Sequence, residues 1–139
     1  MSEKRFCRTS STAEESRFDD DGDVDVFVTH MNGKPRLYRN ETETSRHWVG
    51  LRLVGRESAR DALGAKITVA SGELSQIREV RSGASYLSQG DSRVFFGLGS
   101  RERADRIEIR WPSGEVQEIA SPGIDRYLLV VEGSSFLNR

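Results

Sequence analysis

Apolar and polar residues alternate in short segments from Trp48 to Val131, which is the period of a β-strand with one buried face. In the clearest segment the alternation predicts that Ile107, Ile109 and Trp111 face a core. No segment has an apolar stripe with the 3.6-residue helical period. Strands are predicted at Val24–Thr29, Leu37–Arg39, Trp48–Val54, Ala65–Val69, Leu74–Arg81, Arg93–Leu98, Arg106–Trp111, Val116–Ile119 and Tyr127–Val131. The fold class is therefore all-β, an antiparallel β-sandwich or barrel-like module, with at most one helical turn near residues 121–125.

The chain divides into three parts by composition. Residues 1–17 are polar without an apolar period, which predicts a disordered or truncated lead-in. Residues 18–45 contain two predicted strands around a turn at Asn32–Pro35, which is a hairpin pattern. A polar run at residues 40–46 is typical of a linker, so residues 46–139 are expected to form the main β-domain.

Composition excludes several classes of function. The net charge is −1, so no overall field attracts nucleic acid or an anionic membrane. Cys7 is the only cysteine, which rules out an internal disulfide. No apolar run is long enough to cross a bilayer or to form the core of a signal peptide. The two histidines, His30 and His47, lie outside any recognisable catalytic motif, and we expect no enzymatic activity.

An acidic segment precedes the first predicted strand. Five carboxylates fall within the seven residues from Asp19 to Asp25, and such crowding is electrostatically costly unless a cation offsets it. Gly22 permits a sharp turn, and Ca²⁺ prefers about six to eight oxygen ligands in flexible geometry. The segment is not an EF-hand, because Val28 stands where that loop has its bidentate glutamate. The predicted Ca²⁺ ligands are the alternate residues Asp19, Asp21, Asp23 and Asp25, and a solvated acidic turn is the alternative.

The stretch from Phe18 to Asn40, FDDDGDVDVFVTHMNGKPRLYRN, resembles the last repeat of an FG-GAP or VCBS-type β-propeller array. The loops of that family follow the pattern D-x-D-x-D-G-x-x-D, and Arg17 stands where the pattern has its first Asp. The resemblance implies that residues 18–45 are a partial propeller repeat with a calcium loop. It also implies upstream propeller repeats as partners, in a larger protein of which this chain is the C-terminal part.

The remainder resembles the ASPIC/UnbV domain, found behind such repeats in cartilage acidic protein and in many bacterial exported proteins. The resemblance implies a secreted or cell-surface protein with a role in binding or adhesion and no established catalytic activity. The matching blocks are His47–Val49, Ser58–Ala65, Arg78–Gln89, Phe96–Gly99 and Ile107–Gly114.

Two of these blocks suggest where a ligand could bind, because loops at the end of a β-sandwich often carry function. The predicted ligand loop consists of Arg60, Asp61, Ser85, Tyr86 and Gln89. Arg60 and Asp61 could instead form an ion pair that fixes a loop, and Tyr86 and Gln89 could satisfy buried backbone groups. An extracellular protein or a glycan is the expected partner. Trp48, Trp111 and Tyr86 favour a carbohydrate-binding module as the alternative function, although tryptophans at alternating inward positions are more often part of a core.

Overall fold

The structure is a computed structural model that describes residues 11–16, 25–30, 33–41, 45–82, 92–134 and 137–138. Its regular elements within these residues are β-strands. No helix in the described part of the chain has the length and apolarity to cross a membrane. The strands are β1 (Ser11–Ser16), β2 (Asp25–His30), β3 (Gly33–Tyr38), β4 (His47–Val54), β5 (Lys66–Ser71), β6 (Leu74–Glu79), β7 (Val94–Gly99), β8 (Arg106–Arg110), β9 (Val116–Ala120), β10 (Arg126–Val131) and β11 (Leu137–Asn138).

The strands form three sheets. The first sheet has the order β1-β2-β3 and is antiparallel throughout. The second sheet has the order β11-β10-β4-β7, and the third sheet has the order β6-β5-β8-β9. Each sheet has two ends among the described residues, so these strands form neither a closed barrel nor a propeller.

The second and third sheets share one hydrophobic core, which makes them a β-sandwich. Every second residue of each central strand faces this core, as the pleat of a strand requires. The fully buried side chains include Leu51 and Phe96 from the second sheet and Ile67, Ile107 and Ile109 from the third sheet. The all-β prediction and the inward direction of Ile107, Ile109 and Trp111 are therefore confirmed.

One strand pair departs from the expected antiparallel arrangement. β4 and β10 are parallel neighbours, with Val49 opposite Arg126 and Val54 opposite Val131. Parallel neighbours need a long crossover connection, and here the crossover consists of the whole third sheet together with β7. The period of the apolar residues predicts a strand and its buried face but carries no information about strand direction.

Two local predictions differ from the structure. The lead-in was expected to have no regular structure, but Ser11–Ser16 form β1, because pairing with β2 supplies backbone partners for a polar segment. Pro35 was expected in a turn but lies in β3, an edge strand whose register with β2 shifts between Val28 and His30. Proline cannot donate to a strand partner, and it is tolerated on an edge strand or at such an irregularity because pairing does not need its N–H there. The segment near Ser121 is irregular, which agrees with the expectation of at most one helical turn there.

Candidate functional site

Of the four predicted calcium ligands, the structure describes only Asp25. Asp19, Asp21 and Asp23 are outside the described residues, whereas Asp25 is the first residue of β2 and is fully buried. Its Oδ1 accepts a hydrogen bond from the backbone N–H of Asn40 at 2.9 Å. No group of three or more His, Cys, Asp or Glu side chains that could hold a metal ion occurs among the residues that the structure describes.

Among the described residues, the carboxylate of Glu132, which follows β10 and is 1% exposed, accepts five hydrogen bonds. Its Oε2 accepts the backbone N–H groups of three consecutive residues, Arg56 at 2.7 Å, Glu57 at 2.9 Å and Ser58 at 2.8 Å. Its Oε1 accepts the hydroxyl groups of Ser58 at 2.8 Å and Ser113 at 2.6 Å. One side chain therefore connects the loop after β4 and the β8–β9 turn to the end of β10.

The loop after β4 is shaped to surround this carboxylate. The Gly55 N–H donates to the carbonyl oxygen of Arg60 at 3.1 Å, which closes the loop into a tight turn. A Cβ atom at Gly55 would lie only 2.3 Å from the carbonyl oxygen of Ala59 and 2.7 Å from that of Ser58. Only glycine fits there, and the resulting turn points successive N–H groups at one centre, an arrangement that binds anions.

This environment changes the proton affinity of Glu132. Burial by itself raises the pKa of a carboxyl group, but the hydrogen bonds from Ser113, Ser58 and Arg56 lower the pKa of Glu132 from 4.5 to about 2. Hydrogen bonds to the charged form outweigh the cost of taking that form out of water. Glu132 is therefore an anion at neutral pH, held by the protein's own donors.

Part of the predicted ligand loop lies in the segment that follows β4. Arg60 and Asp61 are adjacent exposed residues in the turn, and no ion pair joins their side chains. The loop is fixed by Glu132 and by backbone hydrogen bonds instead. Ser85, Tyr86 and Gln89 are outside the described residues, so the structure does not bring the five residues together, and the ligand loop stays a prediction.

An aromatic cluster lies on the face of the second sheet that points away from the core. Trp48 stacks on Phe95 with ring centroids 5.0 Å apart, and Tyr127 meets both rings edge-on, at 5.2 Å and 5.1 Å. The guanidinium of Arg93 lies 4.3 Å from the centroid of the Tyr127 ring. Gly50 lies between Tyr127 and Phe95 in register, and a Cβ there would be 2.7 Å from the Tyr127 ring. The missing side chain is what allows the rings to meet.

Two other residues singled out in the sequence have structural contacts. Trp111 is 3% exposed, and its indole N–H donates to Gln117 Oε1 at 3.1 Å, so its ring is part of the core and is not a surface for a sugar. His47 Nδ1 lies 2.7 Å from Asp125 Oδ2. Asp125 Oδ1 also accepts the Trp48 N–H at 3.1 Å, and the Asp125 N–H donates to the Trp48 carbonyl oxygen at 2.7 Å. These bonds attach the segment before β10 to the start of β4.

Sequence reasoning did not single out Glu132 or the serines that bind it. One signal was present, because Leu128, Val130 and Glu132 share a period of two, which places Glu132 on the inward-facing side of β10. A charged residue at an inward position needs partners. No sequence pattern indicates the cluster of Trp48, Phe95 and Tyr127, because the three residues come from three separate strands.

Comparison with known families gives a match over most of the sandwich. A family model described as ASPIC and UnbV matches residues 55–135, more than half of the chain. The match begins at the glycine of the loop around Glu132 and ends just beyond Ser134. A search of curated proteins found no match to this chain.

Proposed function

Since this chain belongs to the ASPIC and UnbV family, we propose that it is a non-catalytic, calcium-assisted binding or adhesion module that works outside the cytoplasm. In this proposal the sandwich is a rigid scaffold, and the acidic segment before β2 binds Ca²⁺. The module acts beside propeller repeats of a larger protein, in agreement with the resemblance of residues 18–45 to an FG-GAP or VCBS repeat.

The buried carboxylate of Asp25 is the observation that supports the calcium part most directly. Asp25 ends the acidic segment and begins β2, where a loop ligand would be anchored to the sheet. Its side chain is fully buried, and the Asn40 N–H occupies one acceptor position of Oδ1. Carboxylate oxygens are the ligands that hard cations such as Ca²⁺ prefer. Asp25 therefore fits a calcium ligand set completed by Asp19, Asp21 and Asp23.

Calorimetric titration of Ca²⁺ into the chelator-treated chain tests this proposal. We expect binding with a dissociation constant up to about 1 mM, in the range of extracellular calcium modules. The variant Asp21→Ala/Asp23→Ala should lose the binding heat. The matched control Asp61→Ala/Glu102→Ala removes the same charge from exposed positions outside the segment and should bind like the wild type.

Thermal unfolding provides a second measurement, because a ligand that binds only the folded state raises the melting temperature. Millimolar Ca²⁺ should raise the melting temperature of the wild type and of the control, but not that of the Asp21→Ala/Asp23→Ala variant. Absence of both the heat and the melting shift in the wild type would contradict calcium binding by this chain. The family assignment would be unaffected.

A carbohydrate-binding module is the second candidate, and the aromatic cluster is the observation that favours it. Trp48 and Tyr127 are half-buried on an outer sheet face, where their rings offer apolar surface beside the Arg93 guanidinium. A glycan array tests this candidate, with Trp48→Leu as the variant that should lose binding and Trp111→Phe, a change inside the core, as the control. Signals no higher than background for the wild type would remove it.

A further inference from the structure

β9 is the last strand of the third sheet, and one of its edges has no strand partner among the described residues. The hydrogen bonds at both ends of the β8–β9 pair determine which groups face that edge. The Trp111 N–H donates to the carbonyl oxygen of Glu115 at 2.9 Å, and the Ser121 N–H donates to that of Asp105 at 2.8 Å. In an antiparallel pair such residues alternate with residues whose N–H and C=O point away.

The outward-pointing residues of β9 are therefore Val116, Glu118 and Ala120. The side chains of all three residues are exposed, and that of the apolar Val116 is 57% exposed. An unpaired strand edge of this kind is a template for another strand. Gln117, between two of these residues, is held in place because its amide N–H donates to the carbonyl oxygen of Ser134.

A shallow groove of about 480 Å³ runs along this edge. Its lining is formed by the backbone and side chains of Glu115–Ala120 and by Gly133 and Ser134, and it contains two glutamates and no lysine or arginine. Glu118 lies opposite Glu108 in the β8–β9 pair. Arg110 pairs with Glu108 at 2.8 Å, and Glu118 has no ion pair among the described residues. The edge therefore presents the carboxylates of Glu115 and Glu118 next to backbone groups that have no strand partner among the described residues.

We infer that β9 accepts an extended basic peptide from a partner protein as an additional antiparallel strand of the third sheet. Backbone hydrogen bonds to the outward-pointing residues would supply affinity, and alternate side chains would supply specificity. The peptide carries lysine or arginine opposite Glu118 and an apolar residue opposite Val116. A second copy of this chain fits less well, because the register that pairs all three outward-pointing residues places Glu118 against Glu118. The inference does not depend on calcium binding.

The labelled peptide Ser-Thr-Thr-Lys-Thr-Val-Thr-Ser is the probe, because it places threonine, lysine and valine opposite Ala120, Glu118 and Val116. Fluorescence anisotropy with the full chain should show binding that weakens as salt is added, since an exposed ion pair is screened. N-methylation of the lysine removes a donor that faces β9 and should weaken binding roughly threefold to tenfold, the value of one hydrogen bond. N-methylation of the threonine after it removes a donor that faces away and should change nothing.

Two protein variants test the same edge from the other side. Ala120→Pro removes an outward N–H that β8 does not use, so the fold should be kept, as checked by circular dichroism, while peptide binding is weakened. Glu118→Lys should lose the lysine peptide and gain the peptide in which that lysine is glutamate. Because neither change involves the acidic segment, calcium titration of both variants should match the wild type.

Each outcome decides between pairing at the edge and another mode of association. Three results together support strand addition at β9. Binding is weakened by methylation of the lysine but not of the threonine, it is weakened in Ala120→Pro, and Glu118→Lys exchanges the lysine peptide for the glutamate peptide. Equal binding of both methylated peptides would overturn it and indicate surface electrostatics alone. No binding would also overturn it and indicate that Glu118 serves to keep the edge unpaired. Self-association through β9, measured by sedimentation, would replace the basic partner with a second copy.

Discussion

Replacement of Glu132 by glutamine tests whether the charge of this side chain, rather than its shape, holds the loop after β4 to the end of β10. Glutamine has the same length and one carbonyl oxygen. That oxygen can accept the N–H groups of Arg56, Glu57 and Ser58, while the serine hydroxyls can rotate to accept from the amide nitrogen. Glu132→Gln thus keeps most of the geometry and removes the negative charge, so we expect a folded but less stable protein.

The pH dependence gives the magnitude of the effect. The pKa of Glu132 is about 2 in the folded chain against an ordinary value of 4.5, so between these pH values the unfolded chain carries the proton and the folded chain does not. Stability from Glu132 is therefore fully present above pH 4.5, falls as the pH decreases and is absent below about pH 2. Within that window the wild type should take up about one more proton on unfolding than Glu132→Gln does.

Urea unfolding at a series of pH values from 2 to 6 measures this difference as the slope of the free energy of unfolding against pH. The difference between the wild type and Glu132→Gln isolates one carboxylate from the others of the chain. Glu102→Gln is the matched control, because Glu102 is exposed and its replacement should give the wild-type slope. If the Glu132→Gln profile runs parallel to that of the wild type between pH 2 and 4.5, Glu132 does not hold its charge in the way the hydrogen bonds require.

Two further perturbations test the packing of the sandwich by urea unfolding. Gly50→Ala places a methyl group 2.7 Å from the Tyr127 ring and should lower the free energy of unfolding by about 1–3 kcal/mol. Gly97→Ala, with open space around it, is the control and should be close to neutral. Equal effects of the two changes would contradict the close approach of the rings. Ile107→Ala should cost about 2–5 kcal/mol because the side chain is fully buried. Ile77→Ala, at a position 70% exposed, should change the free energy of unfolding by no more than about 0.5 kcal/mol; a large loss there would show that Ile77 is covered.

Much of the sandwich could be predicted because period-two alternation reports directly on burial. Arg106–Arg110 illustrates this point, since each apolar position predicted to face inward is buried. Pairing could not be predicted in the same way, because hydrogen bonds between strands involve backbone groups common to all residues. The parallel neighbours β4 and β10 are far apart in the sequence, and no local pattern indicates that they meet.

The functional features were predictable to a smaller extent. The acidic segment that ends at Asp25 could be recognised because its carboxylates lie close together in the sequence, although the structure describes only the last of them. The surroundings of Glu132 depend on serines contributed by two distant loops, Ser58 and Ser113, and serine is too common to indicate such a contact by itself. The edge of β9 that has no strand partner among the described residues follows from the strand order, and its outward-pointing residues follow from the hydrogen bonds to β8; neither can be read from composition.

The parallel arrangement of β4 and β10 has a consequence for how the sandwich would respond to mechanical force. β4 enters the sandwich first and β10 is its last long strand, and the two run side by side in the same direction. Tension that pulls the start of β4 and the end of β10 apart therefore acts along the strands, after the short pairing of β11 has been peeled away. It loads the hydrogen bonds between β4 and β10 together in shear, rather than opening them one at a time. In single-molecule stretching we expect rupture at higher force than for the β5–β6 hairpin, which opens from its free end.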